Sequence, residues 1–123
     1  MEWKLELVAV PVTDVDRARD FYVEGTGFTL DHDHTLSEDL RFVQLTPPGS
    51  ACSIAIGTGI TEAPPGSARG LQLVVDDIEA ARRELVERGV EASPVQSFPW
   101  GEFVFFDDPD GNGWAVQALP ARE

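Results

Sequence analysis

The sequence predicts an α+β fold: two βαβββ modules forming a curled, cleft-bearing mixed sheet with helices on the outer face. Three observations carry that expectation. One pattern occurs twice, Asp14-Val15-Asp16-Arg17-Ala18-Arg19 and Asp77-Ile78-Glu79-Ala80-Ala81-Arg82, each time after an apolar run and at a helix start. Segment 58–69, rich in Gly, Pro, Ser and Thr, divides two stretches of similar length. A dense turn, Asp108-Pro109-Asp110-Gly111-Asn112, joins two apolar runs near the end. One helix covers one face of one sheet, so each module keeps a second apolar face. Two modules can bury those faces by curling their sheets into a cleft, a natural small-molecule site. The expectation is a single domain over 1–123, with module one at 1–57, the linker at 58–69 and module two at 70–123.

In chain order, Trp3 to Val12 reads as a strand, apolar on both faces after Glu6, with Pro11 near its end. Thr13 or Asp14 supplies a capping oxygen, and Val15, Ala18 and Tyr22 fall on one helical stripe that Gly25 and Gly27 end. Phe28 to His34 reads as a strand. Leu40 to Thr46 and Ala51 to Gly57 form a hairpin across Pro47-Pro48-Gly49-Ser50. After the linker, Gly70 to Val75 is a strand and Asp76-Asp77 starts a helix whose stripe is Ile78, Ala81 and Leu85, with Gly89 as its stop. Val90 to Val95 reads as a strand, and Gln96 to Gly101 as a loop. In the closing hairpin, Gly113, Ala115 and Gln117 share one face, and Trp114 and Val116 the other.

Composition narrows the partners. With 22 acidic against 9 basic residues the net charge is −13, which disfavours nucleic acid and anionic membrane surfaces. The chain has no run long and apolar enough to span a bilayer. Its opening residues lack a basic region followed by an apolar core, so a cytoplasmic location is expected. Cys52, the only cysteine, lies in an apolar run and is expected to be buried and inert.

Taken together, Val10-Pro11-Val12-Thr13-Asp14-Val15-Asp16-Arg17-Ala18, Phe21-Tyr22, Gly27-Phe28, Val75-Asp76-Asp77-Ile78-Glu79-Ala80-Ala81, Arg88-Gly89-Val90 and Asp108-Pro109-Asp110-Gly111-Asn112 resemble the vicinal oxygen chelate superfamily. That superfamily includes glyoxalase I, extradiol dioxygenases, and fosfomycin- and bleomycin-resistance proteins. The resemblance covers nearly the whole chain and implies the paired βαβββ fold and a homodimer. It also implies a divalent metal held by His, Gln or Glu. The positions that match those ligands carry Leu7, Gly70 and Ala115 here, with Ser53 or Ala55 on the equivalent strand of module one. Leucine, glycine and alanine side chains donate no electron pair, and hard cations want carboxylate, carbonyl or imidazole.

What remains are binding candidates: Leu7, Gln44, Gln72, Trp100, Phe103, Ala115 and Gln117. Gln72 shares a face with Gly70 and Val74, and its amide could bond a ligand or replace a metal ligand. Gln117 shares a face with Ala115 and either points inward or ends an exposed strand. Phe98, Trp100 and Phe103 could stack on a planar ligand or pack against a second subunit. His32 and His34 share a face and suit Zn²⁺, but nearby acids suggest a solvated strand. Glu102 and Asp107 are acid/base candidates only if buried in the cleft; Glu6 reads as a strand-end charge. No catalytic residue, metal site or cofactor is assigned.

The expected function is metal-independent binding of an apolar or aromatic small molecule. The alternative is a lyase, isomerase or dioxygenase using an atypical metal set, such as Gln72, His32, His34 and Glu102, or metal-free acid/base chemistry. A third class is an interaction module of a larger complex. Whether the modules pair within or between chains is left open by the sequence.

Overall fold

The computed structural model describes residues 1–120. Each half builds a four-stranded mixed sheet with one helix on it. Module one contains β1 (Leu7–Ala9), α1 (Val15–Asp20), β2 (Thr29–Ser37), β3 (Leu40–Thr46) and β4 (Ser53–Thr58). Module two contains β5 (Leu71–Val75), α2 (Ile78–Glu87), β6 (Gln96–Phe98), β7 (Gly101–Asp107) and β8 (Gly113–Ala118). The strand orders, β1-β4-β3-β2 and β5-β8-β7-β6, are the same topology twice. In each sheet the first strand pairs parallel with the last, and the other pairs are antiparallel. Among the described residues no ladder joins one sheet to the other.

The helices start alike. The side chains of Asp14 and Asp77 accept hydrogen bonds from the backbone N–H groups of Arg17 and Ala80, at 3.0 and 3.1 Å. Each satisfies a donor that the first helical turn leaves free. They end differently: α2 stops before Gly89, whereas α1 widens into a π-helical segment, Phe21–Gly25. The Thr26 N–H reaches back to the Phe21 carbonyl at 3.2 Å, one residue further than in an α-helix.

Several boundaries differ from the sequence expectation. The first strand is only Leu7–Ala9, not Trp3 to Val12. As an edge strand it pairs with β4 alone, over Ser53–Ala55, so Trp3 and Leu5 have no partner and stand exposed. Pro11 brings no N–H to extend the ladder. The second strand runs on past His34 to Ser37, because β3 returns directly against it, and all nine of its residues are exposed. Val90 to Val95 is not a strand; pairing begins at Gln96 inside the expected loop. Pro94 has no N–H to give, and in this stretch only Ser93 reaches β7, donating to the Phe105 carbonyl and accepting from its N–H, both at 2.9 Å. Cys52 precedes β4 and is half-buried rather than buried.

A single apolar core draws on both modules, including Val43, Leu45 and Ile56 from one and Val104, Phe106 and Val116 from the other. Tyr22, fully buried, sits at the seam. Its ring stacks on Phe28 at 5.7 Å and meets Trp114 at 5.8 Å, while Trp114 lies parallel to Phe106 at 5.9 Å. The Tyr22 hydroxyl donates to Asp108 Oδ2 at 2.8 Å and accepts from Trp114 Nε1 at 3.0 Å. Asp108 Oδ1 caps its own turn, accepting the N–H groups of Asp110 and Asn112. The Asn112 amide bridges Asp108 Oδ2 and the Pro11 carbonyl, both at 2.8 Å. Thus the Asp108–Asn112 turn of module two is keyed into the start of module one, and the buried Asp108 carboxylate accepts four hydrogen bonds. Burial and the neighbouring Asp108 push the Tyr22 phenol far above its ordinary value.

Candidate functional site

The helices cover one face of each sheet. The opposite face of the second sheet is open, and its residues stand in rows, because directly paired residues point to the same side. One row is Gln72, Ala115 and Phe105 across β5, β8 and β7. The next is Val74, Gln117, Phe103 and Gln96, reaching β6. Phe103 and Phe105 stack with their rings 5.9 Å apart. Phe98 meets Phe103 edge-on at 5.7 Å and stacks on Trp100 at 5.3 Å. A continuous aromatic ladder results, and Phe98, Trp100 and Phe105 are each at least 39% exposed. Exposed aromatic surface joined in this way is more than the scatter of single apolar residues usual on a protein surface.

Two glutamines fix its edge. Gln117 Nε2 donates to the Trp100 carbonyl at 2.9 Å, and its Oε1 accepts from Gln72 Nε2 at 2.6 Å. This pair ties the short turn carrying Trp100 to the sheet centre. Gly101 completes the turn at φ +147°, where a Cβ would stand 2.7 Å from the Ala118 carbonyl, so only glycine fits. Beside the rows lies a hollow of about 270 Å³, lined by Gln72, Phe105, Asp107, Gly113, Ala115 and Arg69 among others.

The open face of the first sheet is different in kind. Gln44 pairs with Ala55 and His32, Phe42 with Gly57 and His34, and Leu7 with Ser53. Gln44 Nε2 donates to Ser53 Oγ at 3.2 Å; Thr46 Oγ1 touches Ser53 Oγ at 2.7 Å and also bonds Asp31. His32 and His34 stack at 5.6 Å and are exposed. On the helix side, Arg41 bonds Asp33 and Asp16, and Arg19 joins the same cluster. Arg41 holds the Asp33 carboxyl below the usual carboxylate range.

Among the sequence candidates, Gln72, Phe103, Trp100, Ala115 and Gln117 therefore meet on one face, while Leu7 and Gln44 meet on the other sheet. Glu102 lies opposite Ala118, on the face of Val104 and Phe106, so it shares no face with Gln72 or the histidines. Asp107 lines the hollow; Glu6 is an exposed residue ahead of β1. Sequence reading missed Phe105, although its alternation with Phe103 in β7 was available, and placed Phe98 in a loop.

The donor chemistry does not fit the superfamily's metal. Leu7 stands beside Ser53, and Gly70 and Ala115 line the hollow, so these three matching positions offer hydrocarbon or hydrogen, while the Ser53 hydroxyl is engaged by Gln44 and Thr46. Among the described residues no three His, Cys, Asp or Glu side chains converge. A second hollow, of about 240 Å³, is lined by Phe28, Pro47, Leu73, Leu85 and Phe106 among others. No helix among the described residues is long and apolar enough to cross a membrane.

Comparison with known proteins agrees with this architecture. The family model described as the Glyoxalase/Bleomycin resistance protein/Dioxygenase superfamily matches residues 4–116. TnmS3, an antibiotic binding protein from Streptomyces sp. CB03234, is 38% identical with a TM-score of 0.87, over 97% of this chain and 98% of its own. A glyoxalase/bleomycin resistance protein from the same organism is 39% identical with a TM-score of 0.81, over 93% and 99%. A member of the superfamily from Sphaerobacter thermophilus DSM 20745 is 34% identical with a TM-score of 0.83, over 95% and 98%. Two keyed βαβββ modules, the matching motifs and these likenesses lead to one conclusion: the chain belongs to the glyoxalase/bleomycin resistance protein/dioxygenase superfamily.

Proposed function

We propose that this protein binds an apolar or aromatic small molecule without a metal, on the open face of its second sheet. The observation that carries the reading is the aromatic ladder Phe105–Phe103–Phe98–Trp100, set beside an amide pair and a floor residue, Ala115, that leaves space where a ligating carboxylate would stand. The antibiotic-binding relative supports it.

The cleft is completed by a second copy. The open face of the second sheet leaves Phe98, Trp100, Phe105 and Val74 exposed together, an apolar patch that a partner would cover, and the exposed polar strand β2 offers a complementary face. Module one of one chain then faces module two of its partner, and light scattering should give twice the chain's 13.4 kDa. A cytoplasmic location belongs to the same reading, and cell fractionation tests it.

Equilibrium dialysis against naphthalene and 2-naphthol, with and without EDTA, tests the function. Saturable binding that EDTA leaves unchanged is expected. Binding of neither probe, or binding abolished by EDTA, would overturn the reading.

A further inference from the structure

The orientation of the two glutamines decides what the hollow offers a ligand. A carbonyl oxygen only accepts, so Gln117 must present its amide nitrogen to the Trp100 carbonyl, as the 2.9 Å contact requires. That leaves Gln117 Oε1 facing Gln72, which must answer with Nε2, at 2.6 Å. The chain of amides therefore runs one way, and Gln72 Oε1 is its free end. Among the described residues nothing donates a hydrogen bond to that oxygen, and Gln72 lines the hollow.

Asp107 lines the same hollow and, among the described residues, is in no ion pair or side-chain hydrogen bond. Two acceptors thus stand beside the Phe105 ring. The one cation that lines the hollow, Arg69, has its Nη1 engaged by the Gly111 carbonyl of the neighbouring turn at 2.7 Å. A chain of net charge −13 further disfavours an anionic guest.

Building on the proposed binding function, we propose that the hollow selects aromatic molecules bearing hydroxyl or amino donors over the same ring system bearing a carboxylate. The donor meets Gln72 Oε1 or the Asp107 carboxylate, and the ring lies against Phe105. Ala115 keeps the floor low enough for that ring, since it stands between Gln72 and Phe105 in one cross-strand row.

Equilibrium dialysis of the whole protein at pH 7.5 against 2-naphthol, naphthalene and 2-naphthoate tests this. 2-Naphthol should bind about tenfold more tightly than 2-naphthoate and several-fold more tightly than naphthalene. Gln72→Met and Asp107→Ala together remove both acceptors and should bring the ratio of 2-naphthol to naphthalene affinity down to about one. If 2-naphthoate binds as tightly as 2-naphthol, or if the double variant keeps the full preference, the selectivity is wrong and the aromatic binding function stands. If none of the three binds, both fall.

Discussion

The two modules share topology, helix cap and core pattern, yet they differ in two places. The open face of module one is polar, with Gln44, Thr46, Ser53, His32 and His34, while that of module two is aromatic. The hairpin turn of module one, Pro47 to Ser50, has three exposed residues of four, while the matching turn of module two buries Asp108 and Asn112. The helices follow the same division, since only α1 widens into a π-helical segment, from which Phe21 and Tyr22 reach Phe106 and Trp114 of module two. A repeat therefore fixes the frame, and the places where the copies diverge carry the seam and the proposed site.

The largest effect should separate the two turns. Asp108→Ala strips the acceptor from four donors and should cost about 3–4 kcal/mol in urea unfolding. Pro48→Ala, at the corresponding turn of module one, should stay within about 0.5 kcal/mol. Equal costs would dissolve the distinction.

Next is the seam itself. Tyr22→Phe leaves Asp108 and Trp114 each short of a partner and should cost about 1–3 kcal/mol. The phenol's folded pKa is raised, so its stabilisation is complete below the ordinary tyrosine value near 10 and is lost as pH rises beyond it. Stability followed by circular dichroism should fall above about pH 10 in the parent, and this limb should shrink in Tyr22→Phe.

For the open faces, Trp100→Ala should weaken naphthalene binding about fivefold with unchanged unfolding, because the side chain is 61% exposed. His32→Ala on the other sheet should change that affinity less than about twofold. The smallest effect belongs to Asp33. Its lowered folded pKa means that its contribution is present above the ordinary carboxylate value and disappears as pH falls through the lower one. Asp33→Asn should flatten the acid limb slightly, and added salt should erase the difference.

The frame was legible in the sequence because periodicity and capping are local. Asp14 and Asp77, the stripes behind them, and the Asp108–Asn112 turn all declare themselves within a few residues. The alternation of Gly113 to Gln117 likewise placed Ala115 and Gln117 on one face. The π-helical segment was hidden, since Phe21–Gly25 takes its shape from aromatic packing across the seam rather than from its own pattern. The strand at Gln96–Phe98 was also hidden, because Val90 to Val95 has better β-formers but carries Pro94. The hydrogen bonds of Tyr22, Asp108 and Trp114 link residues 86 and 92 positions apart, which no local signal encodes. The candidates Gln72 and Gln117 were visible as residues; that they bond each other, and which way, needed the parallel register of β5 and β8.

The claim on which this account rests is that module two's open face binds its ligand with side chains alone. Elemental analysis of protein purified without chelator tests it most directly. The prediction is zinc, manganese, iron and nickel all well below one equivalent per chain, in protein that still binds naphthalene. One retained equivalent of any of these ions, lost together with binding on dialysis against EDTA, would contradict it.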